Sequence, residues 1–289
     1  MSSEGIFVHV GDRVVTAAEA CVPVLDHGFL FGDSVYEVVR TANRRPFQLG
    51  PHLRRLRRSA GLIYYELPWT DDEIRARMDA VGERVGDEEC YFRIVATRGP
   101  GPLSLLPDGC DRAGLYVIGR ALLRFPAPLY TEGCKVAVVP RLRNDPRALD
   151  PKAKTGNYLN NMLGLVEARR AGAEDALFLN ADGHLTEATT SNAWIVERGR
   201  VRTPPLQEGL LAGITREWLL EALPEAGVAV EETAIDEARL RAADEVFLSG
   251  TVKGIMPVTR IGGAPVADGR PGPVTARAAR LYEDALGAN

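Results

Sequence analysis

Long apolar runs are missing from this chain, and none approaches the ~20 residues that a membrane-spanning helix requires. A transmembrane anchor is therefore not expected. Histidine is scarce, four in 289 residues, and none stands at a metal-ligand spacing, which argues against a structural or catalytic metal. The four cysteines, Cys21, Cys90, Cys110 and Cys134, lie far apart without a CxxC pair. That usage reads as reduced thiols in a cytoplasm. The N-terminus has no basic region followed by an apolar core, so no signal peptide is expected. An excess of positive charge is also lacking: the net charge is −4 with dispersed basic residues, which gives no nucleic-acid footprint.

What remains is the composition of an ordinary soluble globular protein, 45% hydrophobic and 26% charged, long enough for one large domain or two moderate ones. "GIFVHVGDRVV" reads as a hairpin around Gly11 and Asp12, followed by a helix from about Leu49 to Leu62. A second helix opens at "TDDEI", with Thr70 as N-cap and acids in its first turn. "CYFRIVATRG" and "AGLYVIGRAL" read as strands. Pro126, Pro128 and Gly133 then crowd "RFPAPLYTEG", which reads as an interdomain linker, although a loop within one domain fits the same residues. These breaks divide the chain into a small N-terminal α/β domain (1–124), a linker (125–134) and a larger C-terminal domain (135–289).

Beyond the linker, "CKVAVVP" reads as a strand. An amphipathic helix is expected to start near Asn157, with Leu159, Met162, Leu163 and Val166 at helical spacing. "EDALFLNADGHLTEATTSNAWIV" reads as two strands and a turn, and "GLLAGITREWLLEAL" leads into a helix near Thr215. Mixed strands and helices in two lobes indicate an α/β or α+β enzyme-like architecture.

Lys154 in "KTGNYL" stands just outside that expected helix start, where the dipole is positive and does nothing for a cation. Partly desolvated there, its ammonium form would be disfavoured and the amine free to attack carbonyls. Taken alone, the stretch favours a solvated loop lysine, and Lys152 competes for any such role. "LLAGITRE" places the Ile214 and Thr215 amides at a helix start, with Thr215 as a plausible cap, and such ends bind phosphate. "LSGTVKG" offers Ser249, Gly250 and Thr251 after an apolar strand, a second anion-type loop. Glu187 is one acid among hydroxyl residues in "HLTEATTSN". Amine, amide loops and acid together make the parts list for pyridoxal phosphate.

In order, "DHGFLFGDSVYEVVR", "HLRRLRRSA", "YFRIVATRG", "KTGNYLNNMLGLVEARRAG", "LTEATTSNAWIV", "TPPLQEGLLAGITR" and "ADEVFLSGTVKGIMPV" resemble the class IV, fold-type IV pyridoxal-phosphate aminotransferases over nearly the whole chain. That group includes branched-chain and D-amino acid aminotransferases, aminodeoxychorismate lyases and (R)-amine transaminases. The resemblance implies pyridoxal 5'-phosphate as cofactor, a Schiff base on Lys154, and transamination between amino acids and 2-oxo acids. It implies that Glu187 pairs with the pyridine nitrogen, Tyr158 with the ring oxygen, and that Leu211 packs on the ring. Phosphate falls to Arg55, the Ile214 and Thr215 amides and Thr251. Tyr36, Arg40, Tyr91, Arg93, Val252 and Lys253 are the substrate-side candidates; the expected carboxylate clamp is Arg93, assisted by Arg40 or Lys253.

"VYEVVR", the Lys154-to-Asn157 spacing and "TTSN" lean toward the D-amino acid branch, while Tyr91 and Arg93 in "YFR" resemble the branched-chain pattern. The arginine–histidine pair of D-amino acid enzymes has no counterpart in "PGPLSLLP". A cytoplasmic homodimer acting on small molecules, without nucleic acid or membrane, completes the expectation. On balance the motifs lean toward a D-amino acid aminotransferase. A branched-chain L-amino acid aminotransferase, then a lyase or an (R)-amine transaminase, and a non-catalytic binding protein on the same fold are its alternatives.

Overall fold

Alternation along the strands decides how the first half of the chain folds. The computed structural model describes residues 4–289. Its first elements are β1 (Phe7–Val10), β2 (Arg13–Thr16), α1 (His27–Phe31), β3 (Ser34–Ala42), β4 (Arg45–Pro46), α2 (Leu49–Leu62), α3 (Asp71–Val85), β5 (Cys90–Thr97) and β6 (Gly114–Ala121). They form a six-stranded sheet in the order β2-β1-β6-β5-β3-β4. Along β5, Cys90, Phe92, Ile94 and Ala96 are buried while Tyr91, Arg93 and Val95 are half-buried. The buried set faces α2 and α3, which bring Leu53, Leu56, Ile74, Met78 and Val81 into one apolar cluster. Each such side chain contributes roughly 1.5–3 kcal/mol when fully removed from water. Thr70 and Glu73 close a reciprocal capping box at the start of α3, as its sequence predicts.

The second set comprises α4 (Pro128–Thr131), β7 (Cys134–Val138), α5 (Leu159–Arg170), β8 (Asp175–Leu179), β9 (Leu185–Ala188), β10 (Asn192–Glu197), β11 (Arg200–Thr203), α6 (Ile214–Glu225), β12 (Val230–Glu232), α7 (Glu237–Arg241), β13 (Glu245–Gly250), β14 (Gly254–Ile261), β15 (Ala264–Pro265) and α8 (Pro273–Gly287). Strands β10, β13, β14, β7, β8 and β9 pair in succession, and β9 pairs back onto β10 through Asn192 and Glu187. Six strands thus close into a ring. Its apolar cluster draws on all six, including Val136, Leu177, Leu185, Ile195, Leu248 and Val258. Among the described residues no helix is long and apolar enough to cross a membrane.

The chain divides into two units, one running to Leu123 and adding Ala153–Asn157 and Asn289, the other Arg124–Lys152 with Tyr158–Ala288. Residues 153–157, which lie inside the 135–289 segment, therefore group with the first unit. Four further differences from the sequence reading have physical causes. The proline-rich "RFPAPLYTEG" holds a one-turn helix, α4, because Pro128 suits a first helical position. "EDALFLNADGHLTEATTSNAWIV" makes three strands rather than two, since β9 is only four residues long. Helix α6 takes Gly213, not Thr215, as its N-cap, and glycine is needed there because a side chain at 213 would collide with the Asn192 amide. Finally, α5 begins at Leu159 and turns Leu159, Met162, Leu163 and Val166 outward within the chain. Its buried side is Asn161, Gly164 and Ala168, where the missing Gly164 side chain admits the Phe178 ring.

Candidate active site

Strand β3 sends Val35, Glu37 and Val39 toward α2, whose His52, Arg55 and Ser59 share one face by helical spacing. Glu37 is fully buried. Arg55 donates to it through Nε (2.6 Å to Oε1) and Nη2 (2.8 Å to Oε2), and His52 Nδ1 lies 2.8 Å from Oε2. Burial pushes the Glu37 carboxyl up, but the Arg55 charge and the Arg55 and His52 hydrogen bonds outweigh it and hold the group well below the usual carboxylate range. Burial pushes His52 down, and the Arg55 and Lys154 charges act the same way against Glu37. His52 is therefore a neutral donor through Nδ1. Its unfolded form binds a proton below about pH 6.5, so this group lowers stability as pH falls through that value. Glu37→Gln would strip Arg55 of its buried counter-charge, and a loss of about 3–5 kcal/mol is expected in urea unfolding. An unchanged midpoint would mean that Arg55 is balanced by another group.

Residues 153–157 form a strap along β3. Thr155 bridges Val35, Tyr36 N–H donates to the Lys154 carbonyl at 2.9 Å, and Lys154 N–H donates to Ser59 Oγ at 3.0 Å. Gly156 leaves room for the Ser34 hydroxyl, and Asn157 Nδ2 donates to the Gly32 carbonyl at 3.0 Å. The helix-dipole rationale for Lys154 is thus replaced, since α5 starts five residues on. What the Lys154 amine meets is the Tyr36 ring, with Nζ 4.4 Å from its centroid, and the Arg93 guanidinium lies 3.8 Å from the same centroid. Among the described residues, Arg93 has no hydrogen-bond acceptor or ion-pair partner. Lys152 is instead exposed and paired with Asp150 at 3.2 Å.

Cross-strand register sets the rest of that face. Tyr36 lies opposite Val95, Val38 opposite Arg93, and Arg40 opposite Tyr91. On the next strand, Tyr116 and Ile118 continue the rows of Val95 and Arg93. Arg40, by contrast, donates through Nε to the Thr41 carbonyl.

In the second unit Glu187 sits at the seam that closes the ring. Arg143, which sequence reading missed, donates Nε to its Oε1 at 2.9 Å, and Leu211 N–H donates to its Oε2 at 3.1 Å. Asn192 Nδ2 donates to the Leu211 carbonyl at 2.9 Å, fixing that loop, and Arg143 also reaches Asn160. The Ile214 and Thr215 amides open α6, where the first turn has no intrahelical acceptors and the dipole is positive. Tyr158 caps the start of α5 and is half-buried. Of the "LSGT" hydroxyls, Ser249 accepts from the Trp194 indole at 2.8 Å, and Thr251 is half-buried in the turn after β13.

Lys253 departs from expectation. Its ammonium is paired with the buried Asp175 carboxylate and its side chain is 12% exposed, so it is not an available cation for a substrate carboxylate. Val252 lies beside it in the same turn. Sequence reading also passed over Glu37, a single acid in an apolar strand, and the His52–Arg55 spacing, both of which were visible signals.

The first unit presents an amine at the Tyr36 ring; the second, taken by itself, presents a paired carboxylate and first-turn helix amides. Each is a kind of group that pyridoxal phosphate needs. Among the described residues no acid, histidine or cysteine cluster could hold a metal. A family model described as amino-transferase class IV matches residues 34–261. The putative branched-chain-amino-acid aminotransferase of Methanocaldococcus jannaschii is 33% identical over 280 residues, covering 96% of this chain and 95% of the relative. The D-alanine aminotransferase of Listeria innocua is 33% identical over 274 residues, covering 93% and 92%. Among solved structures, the branched-chain amino acid aminotransferase from Thermobaculum terrenum in its PLP form matches with a TM-score of 0.86 at 28% identity, covering 98% and 94%.

Proposed function

Because the chain belongs to the class IV aminotransferases, we propose that it uses pyridoxal phosphate to move amino groups between branched-chain L-amino acids and 2-oxo acids. The observation that carries this reading is the Tyr36 ring with Lys154 and Arg93 both on it. An amine and an arginine without an acceptor are the two groups that an amino acid and its 2-oxo acid require. An arginine fork matches a planar carboxylate, and a partly desolvated pair is stronger than a surface one. Around Arg93, Val38, Val95 and Ile118 line the same sheet face and offer apolar contact to an aliphatic side chain.

When bound, the cofactor supplies the electron sink and holds the amino group between half-reactions. Lys154 holds the cofactor through its amine and moves the proton at the substrate α-carbon. Glu187, oriented by Arg143 and the Leu211 amide, holds the proton at the ring nitrogen. Tyr158 meets the ring oxygen, and Leu211 covers the ring. The α6 amides and Thr251 take the phosphate; Arg55, expected there too, is held by the Glu37 carboxylate through Nε and Nη2. Tyr36 and Tyr91 flank the substrate. The outward apolar stripe of α5 supports a homodimer.

The equal identity of the D-alanine aminotransferase relative keeps a D-amino acid reading as second. Mixing the cofactor-loaded protein with L-leucine or D-alanine and following the cofactor spectrum decides between them. Faster conversion by L-leucine is expected, and faster conversion by D-alanine transfers the proposal to the second reading. In the same assay Arg93→Leu should lower the amino-acid half-reaction rate by roughly 10²-fold at fixed substrate, the scale of a lost positioning contact. Cofactor binding should be unchanged. A variant as fast as the parent would place the carboxylate on another group.

A further inference from the structure

The pairing that removes Lys253 from the substrate's reach gives it another task. Asp175, at the start of β8, is 3% exposed and is shared by two segments. One oxygen takes the Lys253 ammonium. The other takes the Thr189 hydroxyl, and also the Thr189 N–H at 3.3 Å. Thr189 follows directly on the strand that bears Glu187, and its carbonyl accepts from Asn161 of α5 at 2.8 Å. Lys253 belongs to the short turn that joins β13 to β14 above the Gly250–Gly254 pair, and the turn also contains Thr251 and Val252. On its backbone side Tyr130 donates to the Lys253 carbonyl at 2.9 Å.

We propose that the Lys253–Asp175 ion pair is a positioning device that ties the Thr251–Val252 turn to the Glu187 segment and so shapes the seat for the cofactor's phosphate. This rests on the pyridoxal-phosphate reading above. Two charges taken out of water have to be matched, and here one carboxylate matches the ammonium while bonding the neighbouring segment. Neither residue touches the cofactor in this role. The lysine stem carries the charge from the turn back to β8, where Asp175 receives it.

The test compares the parent with Lys253→Met/Asp175→Asn, which removes both charges yet leaves an amide oxygen at position 175 to accept from Thr189. With no unpaired ion left inside, the double variant should melt near the parent. Its equilibrium dissociation constant for pyridoxal phosphate, read by titrating the cofactor-free protein, should rise by about 10–100-fold, the size that supporting partners have at other sites. Lys253→Arg keeps the pair and should retain the parent's affinity. A double variant that binds the cofactor as tightly as the parent overturns the proposal alone. So does a folded Lys253→Arg that loses the cofactor. A parent that binds no pyridoxal phosphate overturns the functional reading, and this proposal with it.

Discussion

Lys154→Ala is expected to lower turnover by at least about 10³-fold while the protein stays folded, because proton transfer and covalent attachment are both lost with one amine. The fold should survive because the strap is tied through the Lys154 backbone: its carbonyl accepts from Tyr36 and its N–H donates to Ser59. Borohydride treatment of the cofactor-loaded parent, followed by peptide mapping, supplies the independent readout. The modification should fall on Lys154, whose Nζ lies over Tyr36, and not on Lys152, which is exposed and paired with Asp150. Modification of Lys152, or a Lys154→Ala protein with near-parent turnover, would remove Lys154 from the chemistry.

Glu187→Gln is expected to cost about 10²–10³-fold in turnover with the cofactor still bound, the range seen when one preorganised electrostatic partner is removed. Glutamine keeps the shape at the ring seam and can still accept from Leu211 N–H. It does not keep the charge that holds a proton on the ring nitrogen. Arg143 loses its counter-charge as well, so the melting temperature should fall, and turnover has to be compared below that new midpoint. Near-parent rates under those conditions would show that the acid serves the Arg143 loop alone.

Local patterns made much of the fold legible. The 3.6-residue spacing in "LGPHLRRLRRSAGL" and the Thr70 cap specified α2 and α3, and the alternation in "CYFRIVAT" specified β5 and which of its residues lie away from the helices. Lys154 and Glu187 stood out as candidates because their neighbours, amide loops and hydroxyl residues, belong to short motifs. The partners that orient them were not. Arg143 and Glu187 are 44 residues apart, and Lys253 and Asp175 are 78 apart, separations that no local period encodes. Period alone also fails to say which face of a helix is covered. In α5 the small residues Gly164 and Ala168 win the inner side because they allow close approach to Phe178, and the larger apolar stripe is left outside.

The strap also bears on how such a protein can be rearranged in evolution or in the laboratory. Tyr36, Arg55 and Arg93 are encoded before Leu123, but the lysine that completes their unit is encoded after the stretch 124–152. A crossover between two relatives at residue 123, the boundary that looks natural, would therefore lay one parent's strap on the other parent's sheet. The contacts Tyr36–Lys154, Ser59–Lys154 and Gly156–Ser34 would all be hybrid ones. A cleaner exchange needs breakpoints at 123 and on both sides of 153–157, so that the Lys154 amine travels with the aromatic ring it rests on. Modularity here follows spatial neighbourhood, and the linear boundary conceals it.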